Sequence, residues 1–273
     1  MATLKKAIVL LLLLTTVKSH ASHFPSSYGS RAAALGNQGI CLANIWATRN
    51  NPAALSLLKH PTASLFYENK YGVTELSTQS IAIGYPTQYG TIAATGSFFG
   101  DNIYKETFIG LSYGKLLSKK FSLGIQLDYF SIKTSAEEFN KTNAISFDIG
   151  ILYQLSDKLI IGSHIYNPLN VKISENANER IPTAITIGSM LTISNNLLMF
   201  TQIEKVSNRQ EDYSIALEYK LKDFLFARGG VSTSPEILSF GFGVNINSFT
   251  FDISSTMHQT LGFSPQATLS YSF

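Results

Sequence analysis

The side chains best suited to nucleophilic or metal chemistry in this 273-residue chain are five histidines and one cysteine. The spacing of the histidines predicts no metal site, and the chain has no H-E-x-x-H, G-x-S-x-G or P-loop pattern. The histidines are His20, His23, His60, His164 and His258. Catalytic triads assemble in space rather than in sequence, so a lipid hydrolase or acyltransferase that pairs His164 or His258 with a serine stays open. The sequence otherwise predicts no enzyme, no metal site and no cofactor.

The single cysteine, Cys41, cannot form an internal disulfide. It lies well beyond the apolar run near the N-terminus, whereas a lipid-anchored cysteine would follow such a run directly. We therefore expect Cys41 to be a small, buried, apolar side chain without a chemical role.

Charged side chains are scarce, and several of them are placed to meet in an interior. Arg31 and Arg49 lie in the N-terminal segment. The candidate interior residues in the strand-like segments are Asp128, Asp148, Glu218, Arg228 and Asp252. Pairing of the two N-terminal arginines with these carboxylates would create either a gate held by ion pairs or plain structural pairing. If the strands cross a membrane, lipid exposure of Arg228 near the midplane would cost about 2–4 kcal/mol, so Arg228 belongs in the lumen or at an interface.

The first residues have the pattern of an export signal. Lys5 and Lys6 precede an apolar run at 7–17, and Ser19 and Ala21 occupy the small-residue positions of a cleavage site. The apolar run is shorter than the roughly 20 residues that a transmembrane helix needs, which argues against an anchor. The sequence thus predicts a signal peptide at 1–21, an N-terminal plug segment at 22–60 and a transmembrane β-barrel at 61–273.

From residue 61 onward, apolar side chains recur at every second position, which is the period of a β-strand. Short polar connections such as 118–120 and 194–196 suit hairpins, and longer ones alternate with them. Fourteen antiparallel strands are predicted, with twelve as the alternative because strand boundaries slip in sequence-based assignment. The predicted strands are 63–70, 77–86, 88–98, 105–116, 119–133, 143–155, 157–168, 182–193, 195–206, 211–221, 223–233, 235–246, 248–257 and 262–273.

Alternation alone is also typical of a soluble sandwich, in which the polar face meets water. Here the polar face carries mainly Ser, Thr, Gly, Gln and Asn, although a water-exposed face would carry more Lys and Glu. In hydrocarbon every backbone N–H and C=O must be paired, so strands can span a membrane only as a closed barrel. The sequence therefore predicts an all-β transmembrane barrel in the bacterial outer membrane, with an N-terminal plug segment.

Two N-terminal motifs carry a resemblance to a known group of proteins. The R-A-x-x-L-G pattern occurs at 31–36 and the N-P-A-x-L pattern at 51–55, and the stretches 166–168, 227–230 and 261–273 fit the same group. The chain resembles the FadL-like superfamily of outer-membrane proteins, and within it the PorV/PorQ-type family of Bacteroidetes.

This resemblance implies a fourteen-stranded barrel with the N-terminal segment inside it and insertion by the barrel-assembly machinery, which recognises a final strand that ends in an aromatic residue. The plug or gate candidates are Arg31, Gly36, Arg49, Asn51 and Pro52. Family members differ in function. FadL takes up long-chain fatty acids, whereas PorV and PorQ serve the type IX route that brings proteins to the cell surface.

Three functions follow as hypotheses. The first is an accessory protein of type IX secretion, the second a passive uptake channel for small hydrophobic solutes, and the third the barrel enzyme described above. The expected partners are outer-membrane lipids, the barrel-assembly machinery, and either secretion-system components or hydrophobic solutes. No Lys/Arg stripe is present, so the sequence predicts no nucleic-acid partner.

Overall fold

A computed structural model describes residues 28–135, 142–174 and 179–273 of the chain. The predicted signal peptide at 1–21 and the first residues of the predicted plug segment, 22–27, lie outside the described residues. No helix among the described residues is long and apolar enough to cross a membrane.

Fourteen strands form a closed antiparallel barrel, which confirms the predicted fold and decides against twelve strands. Each strand coincides with a segment whose apolar side chains alternate, because alternate side chains leave a strand on opposite faces. The barrel strands are β1 (Thr62–Asn69), β2 (Ser77–Thr87), β3 (Gly90–Gly100), β4 (Tyr104–Ser118), β5 (Phe121–Thr134), β6 (Thr142–Gln154), β7 (Leu159–Tyr166), β10 (Ala184–Ser194), β11 (Leu197–Val206), β12 (Asp212–Lys222), β13 (Leu225–Thr233), β14 (Glu236–Ile246), β15 (Phe249–His258) and β16 (Gly262–Ser272).

The connection between β7 and β10 contains a short hairpin of β8 (Lys172–Ser174) and β9 (Glu179–Arg180). Elsewhere each strand pairs with its neighbour in sequence, and β1 pairs with β16 to close the ring from Thr62↔Ser272 to Glu68↔Gln266. Closure pairs the backbone groups that an open edge would leave unpaired in hydrocarbon.

The two faces of the barrel differ as a membrane protein requires. Large apolar side chains point outward along the strands, for example Leu65, Leu127 and Ile145, which are 55%, 57% and 64% exposed. The inward side chains of the same strands are small and polar, for example Ser64 and Ser146, and they are buried. An apolar exterior around a polar interior identifies an outer-membrane barrel and not a soluble sandwich.

The two ends of the barrel carry connections of different length. At one end the turns span two to four residues, for example 88–89 and 195–196. The opposite end carries the longest connection, 167–183, and the 70–76 loop, which contains the short helices η2 (Lys70–Gly72) and η3 (Thr74–Leu76). Outer-membrane barrels place short turns at the periplasm and long loops outside the cell, so the 167–183 loop is extracellular.

The N-terminal segment 28–60 lies inside the barrel. It contains the helices α1 (Ser30–Ala34), α2 (Ala47–Asn50) and η1 (Pro52–Leu57). Helix α1 packs against β13 to β16 on one side of the lumen, and η1 packs against β3 to β6 on the other. A Cβ atom at Gly124 in β5 would collide with the backbone of Pro52 and Ala53, so glycine is required there for η1 to lie directly against the wall.

The core of the molecule is formed between this segment and the barrel wall. Trp46 stacks with Tyr28, meets Phe66 edge-on and donates its indole N–H to Ser64 Oγ at 3.0 Å. Cys41 is buried in the same cluster, as expected from the sequence. Burial raises the pKa of the Cys41 thiol to about 12, partly opposed by a backbone hydrogen bond at Gly162, so the thiol remains protonated.

Candidate functional site

An ion-pair network lies on the periplasmic side of the plug. Arg31 binds both carboxylate oxygens of Glu218, with Nε–Oε2 and Nη2–Oε1 distances of 2.8 and 2.6 Å. Arg228 links Glu218 to Asp252, with Nε–Oε2 and Nη1–Oδ1 distances of 2.5 Å each. The network joins helix α1 to β12, β13 and β15.

The sheet register explains how these four side chains meet. Glu218 and Arg228 are direct partners across β12 and β13. Asp252 lies on β15, one strand beyond β14, where its direct partner is Gly243. A side chain at Gly243 would collide with the Arg228 guanidinium and with the Asp252 carboxylate, so this glycine opens the passage through which Arg228 crosses β14.

A polar cavity of about 240 Å³ adjoins this network at the periplasmic side of the plug. Arg31, Glu218, Arg228 and Asp252 line it together with Asn44 and Trp46. Arg228 therefore lies in the lumen and is 8% exposed.

Arg49 occupies a different environment, a cage of aromatic rings in the extracellular half of the lumen. Its guanidinium carbon lies 3.6 Å from the centroid of Phe108, 4.6 Å from Tyr28 and 5.8 Å from Tyr166. Arg49 is 7% exposed, and its Nε and Nη1 have no hydrogen-bond partner among the described residues. The electrostatic attraction of a cation to ring faces stabilises this arrangement.

Two buried aspartates lie near the cage. Asp128 Oδ1 accepts a hydrogen bond from Gln126 Nε2 at 2.7 Å, and Asp148 Oδ1 accepts one from the Asn167 backbone N–H at 3.0 Å. The second oxygen of each has no hydrogen bond among the described residues. His164 Nε2 lies 3.3 Å from Asp148 Oδ2, in a geometry that makes no hydrogen bond. These carboxylates form no ion pair with Arg49 in the described part of the chain. They interact with the guanidinium only by longer-range electrostatic attraction.

Asn167 anchors the extracellular loop to the wall. Its Oδ1 accepts hydrogen bonds from Ser146 Oγ at 2.6 Å and from the Val171 N–H at 3.3 Å, and its Nδ2 donates to the Ile181 carbonyl at 2.7 Å. Asn167 is fully buried and has a φ of 46°, a conformation that asparagine tolerates better than most residues. Apart from the Tyr-Asn-Pro motif at 166–168, nothing in the sequence indicates a role for Asn167.

An apolar cavity of about 40 Å³ lies between the Arg49 cage and this loop. Phe108 and Phe130 of the barrel and Tyr28 and Arg49 of the plug line its inner part. Ile173, Ile181 and Pro182 of the 167–183 loop also line it, and all three are buried. The cavity is therefore an apolar compartment at the extracellular mouth, which the plug closes from below and the loop covers from above.

Three solved barrels are similar to this chain over nearly their whole lengths. The toluene transporter TbuX of Ralstonia pickettii superposes with a TM-score of 0.69 at 14% identity, over 90% of this chain and 98% of that one. The toluene transporter TodX of Pseudomonas putida gives 0.64 at 11%, over 91% and 99%. A FadL homologue of Pseudomonas aeruginosa gives 0.62 at 13%, over 92% and 98%. The chain has a FadL-type barrel fold. No protein-family model and no curated protein matches it.

The remaining plug candidates in this FadL-type barrel are structural anchors. Asn51 Oδ1 accepts a hydrogen bond from the Ala53 N–H at 3.1 Å, and its Nδ2 donates to the carbonyls of Ile40 and Ile151 at 2.9 and 3.1 Å. Pro52 is the first residue of η1. Gly36 has a φ of 67° and lies against the backbone of Val231 in β13. Asn51 thus ties the plug both to itself and to β6.

The histidines considered for an enzyme are not placed in a triad. His258 Nδ1 accepts hydrogen bonds from the backbone N–H groups of Thr260 and Leu261. His164 lies against Asp148, and no serine hydroxyl hydrogen-bonds to either histidine among the described residues. Among the residues that the structure describes, no group of His, Cys, Asp or Glu side chains is placed to bind a metal ion.

Proposed function

We propose that this protein is a passive channel for small hydrophobic solutes across the outer membrane. The observation that carries the proposal is the apolar cavity at the extracellular mouth, which is lined by aromatic rings and covered by apolar side chains of one loop. A cavity of this kind binds solutes by removing apolar surface from water. The FadL-type fold supports the same function, since toluene transporters share it at low sequence identity.

The cavity is closed in the described conformation. Its volume of about 40 Å³ is well below the roughly 150 Å³ at which an apolar cavity accepts benzene. A solute the size of toluene therefore enters only when Ile173, Ile181 and Pro182 move outward. The loop that carries them has only the short β8–β9 hairpin as regular structure among its described residues and is tied to the barrel wall by the Asn167 hydrogen bonds, so it can be displaced without breaking the barrel.

The barrel wall next to this loop has the least strand pairing. Strand β6 pairs with β5 from Thr142 to Tyr153, but with β7 only from Ile149 to Gln154. The space beside the outer half of β6 is filled by the loop, through contacts such as that of Ser146 with Asn167. Movement of the loop would expose this side of the lumen first.

The test is uptake of radiolabelled toluene by Gram-negative cells that lack their own channel for hydrophobic solutes. Cells that express this protein should take up toluene several times faster than cells with an empty vector. Ser131→Trp places a large ring in the apolar cavity, because Ser131 lines it and is buried. We expect this variant to reduce uptake to the vector rate.

Ser118→Trp is the matched control, since it adds the same ring at an exposed position at the periplasmic end of β4. It should transport toluene at the rate of the unmodified protein. Uptake at the vector rate by cells that contain correctly inserted, unmodified protein would refute the channel function.

The accessory role in type IX secretion remains a prediction from the sequence resemblance. The solved structures similar to this chain are described as transporters and channels, and they give more support to the uptake function.

A further inference from the structure

The outside of the barrel carries an apolar groove near the periplasmic ends of β1, β2 and β3. Its volume is about 450 Å³, which is about three times the roughly 150 Å³ at which a closed apolar cavity accepts benzene. No charged side chain lines the groove among the described residues. A barrel wall is convex, so a depression in it requires small side chains that face outward.

The sheet register explains where these small side chains lie. Ala63 is the direct partner of Ile83, and Ile83 is the direct partner of Ala94, so the three residues form one row that faces the lipid. Other outward positions of the same strands hold larger side chains, such as Leu65 in β1 and Ile92 in β3. Two alanines in one row therefore leave unfilled the space that two large side chains would occupy.

Aromatic rings border the groove at its periplasmic end. Tyr85 and Phe273 line it and are 63% and 70% exposed. The backbone N–H of Phe273 donates to the Pro61 carbonyl at 2.9 Å, which places Phe273 at the seam where β1 and β16 close the barrel. Exposed rings at the ends of transmembrane strands mark the boundary between hydrocarbon and headgroups. The groove thus lies in the periplasmic leaflet, on the hydrocarbon side of that boundary.

A lysine lies on the headgroup side of the same boundary. Lys59 precedes Pro61, which lines the groove, by two residues, a distance of at most about 7 Å along the chain. Lys59 is exposed and forms no ion pair among the described residues. The segment 28–67 contains no acidic residue. A lysine at a membrane surface attracts anionic headgroups, so the rim of the groove favours a phosphate.

The wall behind the groove is closed. Strand β2 pairs with β1 and with β3 without a shift in register, so the groove does not open into the lumen. A two-fold dimer centred on the groove would bring two copies of one concave surface together and would leave both unfilled. A flexible acyl chain can fill such a depression, and a phospholipid joins that chain to a phosphate.

We propose that the groove is a binding site for one phospholipid of the periplasmic leaflet, with an acyl chain against Ala63 and Ala94 and the headgroup phosphate beside Lys59. The site lies outside the barrel and is independent of the proposed channel function. Contact with the methylenes of the chain supplies the affinity, and Lys59 supplies the preference for an anionic headgroup. The bound lipid would cover the seam between β1 and β16.

The test uses palmitoyl-oleoyl-phosphatidylglycerol as the probe and native mass spectrometry of the whole barrel released from detergent micelles. The unmodified protein should retain one phosphatidylglycerol in a saturable manner. Ala63→Phe fills the groove and should weaken this binding at least about tenfold, because exclusion of two methylenes suffices for that loss. Ala227→Phe is the matched control, since Ala227 also faces the lipid, between Tyr219 and Phe242, but lies away from the groove on β13. It should bind like the unmodified protein.

A second comparison isolates the phosphate and leaves the groove unchanged. Palmitoyl-oleoyl-glycerol has the same chains without a phosphate, and should bind the unmodified protein about fivefold more weakly, the effect of one lysine at a membrane surface. In Lys59→Gln the two lipids should bind equally. Lys119→Gln removes an exposed lysine from the turn between β4 and β5, and should keep the fivefold preference. Free inorganic phosphate should not displace the phosphatidylglycerol, because it has no acyl chain.

Three outcomes would overturn the proposal. The first is retention of several lipids with equal affinity by the unmodified protein and Ala63→Phe, which would indicate an unspecific layer of lipid. The second is a dimer of the barrel that carries no lipid. The third is equal binding of the two lipids to the unmodified protein, and this comparison decides the role of Lys59 even if Ala63→Phe does not insert into a membrane.

Discussion

At the scale of single residues, two of the arginines in the lumen, Arg228 and Arg49, are in opposite situations. Arg228 is surrounded by carboxylates and shares Glu218 with Arg31, whereas Arg49 faces rings and has donors to spare. Removing charges from water is expensive, and only good geometry with several hydrogen bonds compensates for it. The Glu218 network meets that condition and the Arg49 cage does not, so the Glu218 network is the one suited to holding the plug in place.

Glu218→Ala tests the holding role. The substitution leaves Arg31 and Arg228 facing each other without their shared carboxylate, and should lower the free energy of unfolding by about 3–5 kcal/mol. The measurement is the urea midpoint of the barrel in lipid vesicles. Glu211→Ala is the control, since Glu211 pairs with Lys205 at the exposed surface, and it should leave the midpoint almost unchanged. Equal midpoints for both variants would show that the network does not stabilise the barrel.

The sequence pointed to the residues of the Glu218 network but not to the aromatic rings of the Arg49 cage. Arg31 and the carboxylates were recognisable because opposite charges are few and fall on the polar faces of strands. The rings around Arg49 belong to the plug, β4 and β7, and no spacing in the sequence connects Tyr28, Phe108 and Tyr166. Only the folded chain brings them together.

At the scale of elements, the strands were predictable and the loop was not. Fourteen segments with apolar side chains at every second position form fourteen strands, because lipid outside and a polar lumen inside impose that period along each strand. The 167–183 loop has no such constraint. Its position follows from the hydrogen bonds of one buried side chain, Asn167, and from the burial of Ile173 and Ile181.

Asn167→Ala should release this loop. The change removes three side-chain hydrogen bonds and leaves the buried Ile181 carbonyl without its donor, a loss of about 1–3 kcal/mol. Trypsin added to intact cells should then cleave after Lys172 or Arg180 faster than in the unmodified protein.

Asn170→Ala is the matched control for Asn167→Ala. Asn170 lies in the same loop and also has a positive φ of 49°, but its side chain makes no hydrogen bond among the described residues. Both variants therefore carry similar backbone strain, and only Asn167→Ala loses side-chain hydrogen bonds that hold the loop. Identical cleavage rates for the two would show that strain, not the Asn167 side chain, decides the position of the loop.

At the scale of the whole molecule, the exterior is a predominantly apolar surface along the strands. Such a surface is stable only against lipid or detergent, and the continuous ring of paired strands resists unfolding in mild detergent. We expect residues 22–273 to partition into detergent and to migrate faster on an SDS gel before heating than after it. A polypeptide that stays dispersed in buffer without detergent and shows one mobility would contradict the membrane barrel.

Trp46 is the single tryptophan of the chain, and it lies where the plug meets the wall, between Tyr28, Phe66 and Ser64. The tryptophan fluorescence of the protein therefore reports the environment at that contact alone. Any displacement of the N-terminal segment, by a solute, a voltage or a partner in the periplasm, would shift the emission of the native protein, with no dye attached and no residue replaced.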